Sequence, residues 1–177
     1  MGSMISHFLN RWRHTDAEVP QAMEYSPAPG TGIRYSPSLV EELKADHQQF
    51  FELHRALVAA LHHGRVEEIP VLLQKFDGLL TAHLLTEQVR LYAYMDAYFS
   101  GDAQTRGMLR DYRMEMDRIG TSVRRMIKKY KLLAADRSLL QAIEQDMEEL
   151  RLVLDERMSR EEQTLYPLYM PVANGPV

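Results

Sequence analysis

At 177 residues, with 45% hydrophobic residues and a formal net charge of −4, the chain has the size and composition of one globular unit with a real core. So slight a negative balance gives no basic field for a polyphosphate backbone or an anionic lipid surface, which argues against nucleic-acid and membrane partners. The chain contains no cysteine, so disulfides and thiolate metal sites are excluded, any metal must use imidazole or carboxylate, and a reducing, cytoplasmic setting is expected.

Residues 1–36 carry Pro20, Pro27, Pro29, Gly30 and Gly32 without a sustained apolar period, and read as an extended N-terminal arm. Ser36-Pro37 supplies an N-cap and a first-turn proline, and Ser38 with Glu41 adds a capping-box pattern, so a first helix is expected from there to about His62. Gly64 closes it. A second helix is expected from about Val66, with Pro70 tolerable in its first turn, and its apolar stripe runs to about Phe99. After the Ser100-Gly101-Asp102 turn, Met108, Tyr112, Met116, Ile119, Val123 and Ile127 mark a third helix over about 103–131. Asp136 is a plausible N-cap for a fourth, which carries Leu140, Ile143, Met147, Leu150 and Leu154 and ends near Pro167. Four long helices with short connections predict an all-α, antiparallel up-down four-helix bundle over 37–170, with 171–177 as a tail. The longest apolar run, Leu57 to Leu61, is far too short to span a bilayer.

The second and fourth helices echo each other. His83, Glu87, Leu91 and Tyr92 have the same spacing as Arg157, Glu161, Leu165 and Tyr166. His83 and Glu87, four residues apart, share the helix face that carries Leu80, Leu84 and Leu91, so an imidazole and a carboxylate interrupt a buried stripe. On the first helix His47 and His54 are seven apart, and on the fourth Glu161 and Glu162 break the seam. Burying such groups unpaired costs on the order of several kcal/mol, so they need a metal, a hydrogen-bond partner or water. His54 reads as a partly exposed helix histidine with an accessory role at most. Tyr92 and Tyr166 are expected to pack at the bundle end with their hydroxyls toward water or a neighbour.

Asp46-His47-Gln48-Gln49-Phe50, His83-x-x-x-Glu87 with Leu91-Tyr92, and Glu161-Glu162-x-x-Leu165-Tyr166-Pro167 together resemble the hemerythrin HHE cation-binding family over about residues 39–170. The resemblance implies a bundle whose complete members hold two irons with five histidines and two bridging carboxylates, and bind oxygen or act in oxygen, nitric oxide or iron sensing. Here the family's third-helix histidines fall on Met116 and Gly120, and the histidine before the Glu-Glu pair is Arg157, which has no lone pair to offer a metal. These three losses fall on one iron. His47 and His83 match ligands of the other, while Glu87 and either Glu161 or Glu162 match the bridging carboxylates: the family pattern favours Glu162, the internal echo Glu161. The implied cofactor is one iron per chain rather than two, with manganese or zinc as alternatives, or none. Arg157 is expected to occupy the vacated second-metal region and neutralise the carboxylates there. The expected function is a non-catalytic metal-binding, sensing or regulatory protein whose ligand is a metal ion or small diatomic molecule, with a protein partner or homodimer as a further expectation. The alternative is a metal-free helical scaffold.

Overall fold

The computed structural model describes residues 25–130 and 137–172, and among them the structure is helical throughout its core. Helix α1 is Leu39–His62, α2 Ile69–Thr86, α3 Ala93–Tyr98, α4 Ala103–Tyr130 and α5 Leu140–Arg160. Two π segments, Glu87–Tyr92 and Glu161–Leu165, prolong α2 into α3 and extend α5. Because α3 continues α2, the long rods number four and form a four-helix bundle in which α1 packs on α2 and α5, and α4 on the same two. The expected bundle is therefore present; the break near Ala134 and the Asp136 cap fall outside the described residues.

The helix ends show where local sequence decides. Gly64 adopts φ +67°, its N–H bonds to Leu61 O at 3.0 Å, and the next N–H, from Arg65, bonds to Ala60 O at 2.8 Å. That is a Schellman stop, open to glycine because the left-handed conformation costs it nothing. At α4 the Asp102 carboxylate accepts from the backbone N–H groups of Gln104 and Thr105 at 3.0 and 3.1 Å, so the turn residue is also the N-cap. The start of α1 differs from expectation. Ser38 makes no side-chain cap bond and instead donates to Glu42 Oε1 at 2.5 Å, where Glu42 also receives Arg90 from the π segment that follows α2. An ionic partner across the helices has displaced the capping box.

Residues 25–36 are non-helical and close one end of the bundle. Ala28 is fully buried, the Tyr35 ring stacks on Tyr169 with centroids 4.7 Å apart, and Ser36 N–H donates to the Tyr169 hydroxyl at 2.8 Å. The apolar core divides in two. One cluster, around Phe50, Phe76, Leu80, Met147 and Leu154, fills the half nearer the α1–α2 connection; the other, around Leu43, Leu91, Met95, Leu109 and Leu165, fills the half nearer the arm. Between the two clusters lies a buried polar layer: His47 on α1, His83 and Glu87 along α2 and the π segment that follows it, and Arg157 and Glu161 at the end of α5 and the start of its π segment. Among the described residues no helix is long and apolar enough to cross a membrane.

Candidate metal centre

The polar layer is built by the two π segments. Each begins at a carboxylate, Glu87 or Glu161, and an i→i+5 hydrogen-bond step aligns that carboxylate with the residue five positions on, where an α-helix would align the residue at four. Those residues are Tyr92 and Tyr166. Both are nearly fully buried, which corrects the expected place at the bundle end, and of the two expected settings for their hydroxyls, water or a neighbour, the neighbour is found: the widened turn rotates them inward beside their carboxylates.

Each histidine is held from behind. His83 Nδ1 lies 3.1 Å from Asp46 Oδ2, and His47 Nδ1 lies 2.8 Å from Glu162 Oε1. An ionised carboxylate can only accept, so the Nδ1 atoms carry the protons, which directs both Nε2 atoms into the layer. There His47 Nε2 faces Glu161 Oε2 at 3.2 Å and the Tyr166 hydroxyl at 3.2 Å, while His83 Nε2 faces Glu87 Oε1 at 3.9 Å. Ligand atoms of His47, His83 and Glu161 converge within 4.8 Å of one another, and Glu87 flanks them. The two imidazoles are 5.2 Å apart, centroid to centroid.

Arg157 completes the layer on the side of α4. Its Nε stands 2.7 Å from Glu161 Oε1, Nη1 donates to Glu115 at 3.1 Å, Nη2 donates to the Tyr92 hydroxyl at 3.3 Å, and the guanidinium lies over the Tyr112 ring at 4.6 Å. Glu115 is also paired with Arg160 at 2.7 Å.

These neighbours set the protonation states. Burial strongly disfavours the Glu87 anion and Glu161 repels it, outweighing Arg157 and the Tyr166 hydrogen bond, so Glu87 is pushed well above the usual carboxylate range. Glu161 is equally buried, yet the hydrogen bond from His47 and the charge of Arg157 hold it below that range. Burial opposes protonation of His47, but the hydrogen bonds to Glu161 and Glu162 prevail and raise it. Without a metal ion, the surroundings therefore favour the neutral form of Glu87, the anion of Glu161 and the protonated form of His47, beside the permanent charge of Arg157.

The donor set fits a cation on three counts. First, Glu87 Oε2 is buried with no hydrogen-bond partner, a cost that a bound positive charge would relieve. Second, two imidazoles and two carboxylates, without sulfur, match a borderline or hard divalent ion. Third, metal–ligand bonds of about 2.0–2.1 Å leave neighbouring ligand atoms roughly 2.9–3.4 Å apart in octahedral or tetrahedral arrangements, close to the 3.2 Å between His47 Nε2 and Glu161 Oε2.

Each residue singled out in the sequence now has a position. His47, His83, Glu87 and Glu161 come together. Glu161 is buried, whereas Glu162 is 36% exposed and serves as the hydrogen-bond partner behind His47, the geometry that the internal echo anticipated. His54 is buried rather than partly exposed, and its Nε2 bonds to the Met147 carbonyl oxygen at 2.9 Å, outside the convergent set. Met116 and Gly120 do lie on the buried face of α4; a Cβ at Gly120 would meet Leu84 Cδ1 at 3.3 Å, so Leu84 shields the place where an imidazole would stand. Sequence reasoning missed the roles of Asp46, Glu115, Tyr92 and Tyr166. The repeated Leu-Tyr pair was the signal for the tyrosines; Glu115 had none.

No curated protein and no solved structure gives a significant match to the chain. A family model for the hemerythrin HHE cation binding domain matches residues 38–169, a span that includes both π segments and every residue of the polar layer. The chain belongs to the hemerythrin HHE cation-binding domain family.

Proposed function

We propose that the polar layer holds one divalent cation per chain, between His47 Nε2, His83 Nε2, Glu87 and Glu161, and that the protein senses or stores it in a regulatory role rather than acting as a catalyst. Iron is the first choice, with manganese and zinc as alternatives. The observation that carries this reading is the paired orientation of the imidazoles, each fixed through Nδ1 by a carboxylate so that its Nε2 faces an acid on another turn. A bound iron would supply a redox-active centre open to a small diatomic ligand. Arg157 limits the site to one ion, because its permanent charge sits against Glu161 where a second cation would compete.

The test is metal content after purification without chelator. Near one ion per chain is expected, falling to near zero in His47→Ala and in His83→Ala. A second reading, a metal-free scaffold, has its own support: a protonated His47 together with Arg157 already offsets the Glu161 anion, and a buried ionic network can fix helix register without a metal. Near-zero metal in the unmodified protein, even after incubation with ferrous iron, manganese or zinc, would establish that reading instead.

A further inference from the structure

Tyr166 stands in the layer without the partner its equivalent has. Tyr92, at the same place on the other arm, accepts a hydrogen bond from the fixed cation Arg157 at 3.3 Å. The Tyr166 hydroxyl faces no Lys or Arg; it lies 3.2 Å from His47 Nε2 and donates toward Glu87 Oε1 at 3.5 Å. Its ring lies nearly parallel to that of His47, with centroids 5.8 Å apart at 19°, and it is almost fully buried.

The local hydrogen-bond count does not close. With Nδ1 of His47 committed to Glu162, Nε2 offers a lone pair whenever the ring is neutral, and Glu161 Oε2 sits at the same 3.2 Å from it as the Tyr166 oxygen does. A single phenolic proton can serve Nε2 or Glu87, never both, and Glu87 Oε2 has no partner in either case. Three oxygens and a nitrogen thus converge, and when His47 Nε2 is unprotonated the Tyr166 hydroxyl proton is the one hydrogen set between them. The Tyr166 oxygen also satisfies the spacing of a ligand: 3.2 Å to one proposed donor and 3.5 Å to another, near the edges of roughly 2.9–3.4 Å that bonds of about 2.0–2.1 Å leave between ligands. The π segment Glu161–Leu165 is what brings it there, since it sets Glu161 and Tyr166 on one face.

We propose that Tyr166 is a fifth ligand of the cation site, binding through its phenolate oxygen once the bound iron is oxidised to the ferric state. This rests on the single-cation reading above. As the O–Fe bond forms, the phenolic proton is released to solvent; no electron moves in that step. An anionic, hard oxygen suits the higher charge, and phenolate ligation of iron has a precedent in the haem of catalase. Tyr92, engaged by Arg157, stays a hydrogen-bond acceptor.

The experiment loads the full-length protein with ferrous iron, oxidises it until no ferrous iron remains, and records visible absorption and resonance Raman spectra alongside iron content. Expected are a phenolate-to-ferric charge-transfer band and phenolate vibrations that vanish in Tyr166→Phe and persist in Tyr92→Phe. Iron content should stay near one per chain in both variants, because the ring and the other four donors remain. Iron bound without the band, or a band that survives Tyr166→Phe, overturns the assignment and leaves the single-cation reading standing. Failure of the unmodified protein to bind iron overturns the Tyr166 assignment, failure to bind manganese and zinc as well overturns the single-cation reading, and if Tyr166→Phe does not fold, a wild-type band that persists in Tyr92→Phe decides the matter.

Discussion

The two arms of the polar layer have the same plan and opposite chemistry. On α2 and its π segment, His83, Glu87, Leu91 and Tyr92 follow one another at intervals of four, four and one; on α5, Arg157, Glu161, Leu165 and Tyr166 repeat them. Both arms break into a π segment at the carboxylate. Only the first residue differs in kind. An imidazole can shed its proton and offer a lone pair, and His83 Nε2 stands 3.9 Å from Glu87 with room between them. A guanidinium cannot, and Arg157 closes on Glu161 at 2.7 Å. One position thus puts a permanent cation on the α5 arm where the α2 arm has an imidazole, and Glu161 is paired with it directly.

Arg157→Met should have the largest effect, because it removes that built-in charge while keeping the volume. In metal-free protein Glu161 and Glu115 lose their buried partner, and the expected loss is about 3–5 kcal/mol in urea unfolding, the usual consequence of breaking a buried ion pair on one side. Arg157→Lys should recover only part of this, since an ammonium cannot reach Glu161, Glu115 and Tyr92 together as the guanidinium fork does. A loss under about 1 kcal/mol in the Met variant would mean that the α5 arm is not held by its charge.

The α2 arm is tested through its support. Asp46→Ala removes the acceptor behind His83 and frees the ring to rotate, which should weaken cation affinity about 10–100-fold, or roughly 1.4–2.7 kcal/mol, without changing stoichiometry. Glu162→Ala, behind His47, should fall at the lower end, because that carboxylate is the more exposed of the two, 36% against 25%, and water replaces it more readily. Titration of each variant with a fluorescent competitor for the metal gives the ranking. Equal effects would show that both histidines are fixed by packing rather than by their carboxylates.

This contrast also marks how far the sequence could be read. Periodicity gave the four rods, and Gly64 gave the end of α1, because both depend on local patterns that tertiary contacts here reinforce. The Ser38 capping box failed because Arg90, far away in sequence, drew Glu42 and its serine into a different network. His47, His83, Glu87 and Glu161 stood out as polar breaks in apolar stripes, which burial makes costly and hence informative. The π segments left no periodic trace, so the inward turn of Tyr92 and Tyr166 could only be suspected from the repeated Leu-Tyr pair. Asp46 and Glu162 are neighbours in sequence of residues that face the layer, and Asp46 was read only as part of a signature; which one reaches behind an imidazole depends on helix packing.

The smallest effect concerns a single proton, that of His47 on α1, which faces His83 of one arm and Glu161 of the other. In metal-free protein His47 is raised above the ordinary imidazole value of 6.5, because Glu161 and Glu162 outweigh its burial. A raised folded value means that its contribution to stability is fully present below about 6.5 and is lost as pH climbs through the folded value. The cation needs the same Nε2 deprotonated, so its contribution grows over that window, by at most about 1.4 kcal/mol per pH unit for one displaced proton. The gap in Tm between loaded and metal-free protein should therefore widen as pH rises from about 6 to 8. Arg157→Met should move that window upward: with the guanidinium gone, Glu161 leans harder on the His47 proton, and a higher pH is needed to remove it. A gap that stays constant with pH, in the wild type, would mean that His47 Nε2 gives up no proton when the cation binds, and the two arms would then differ in charge but not in metal chemistry.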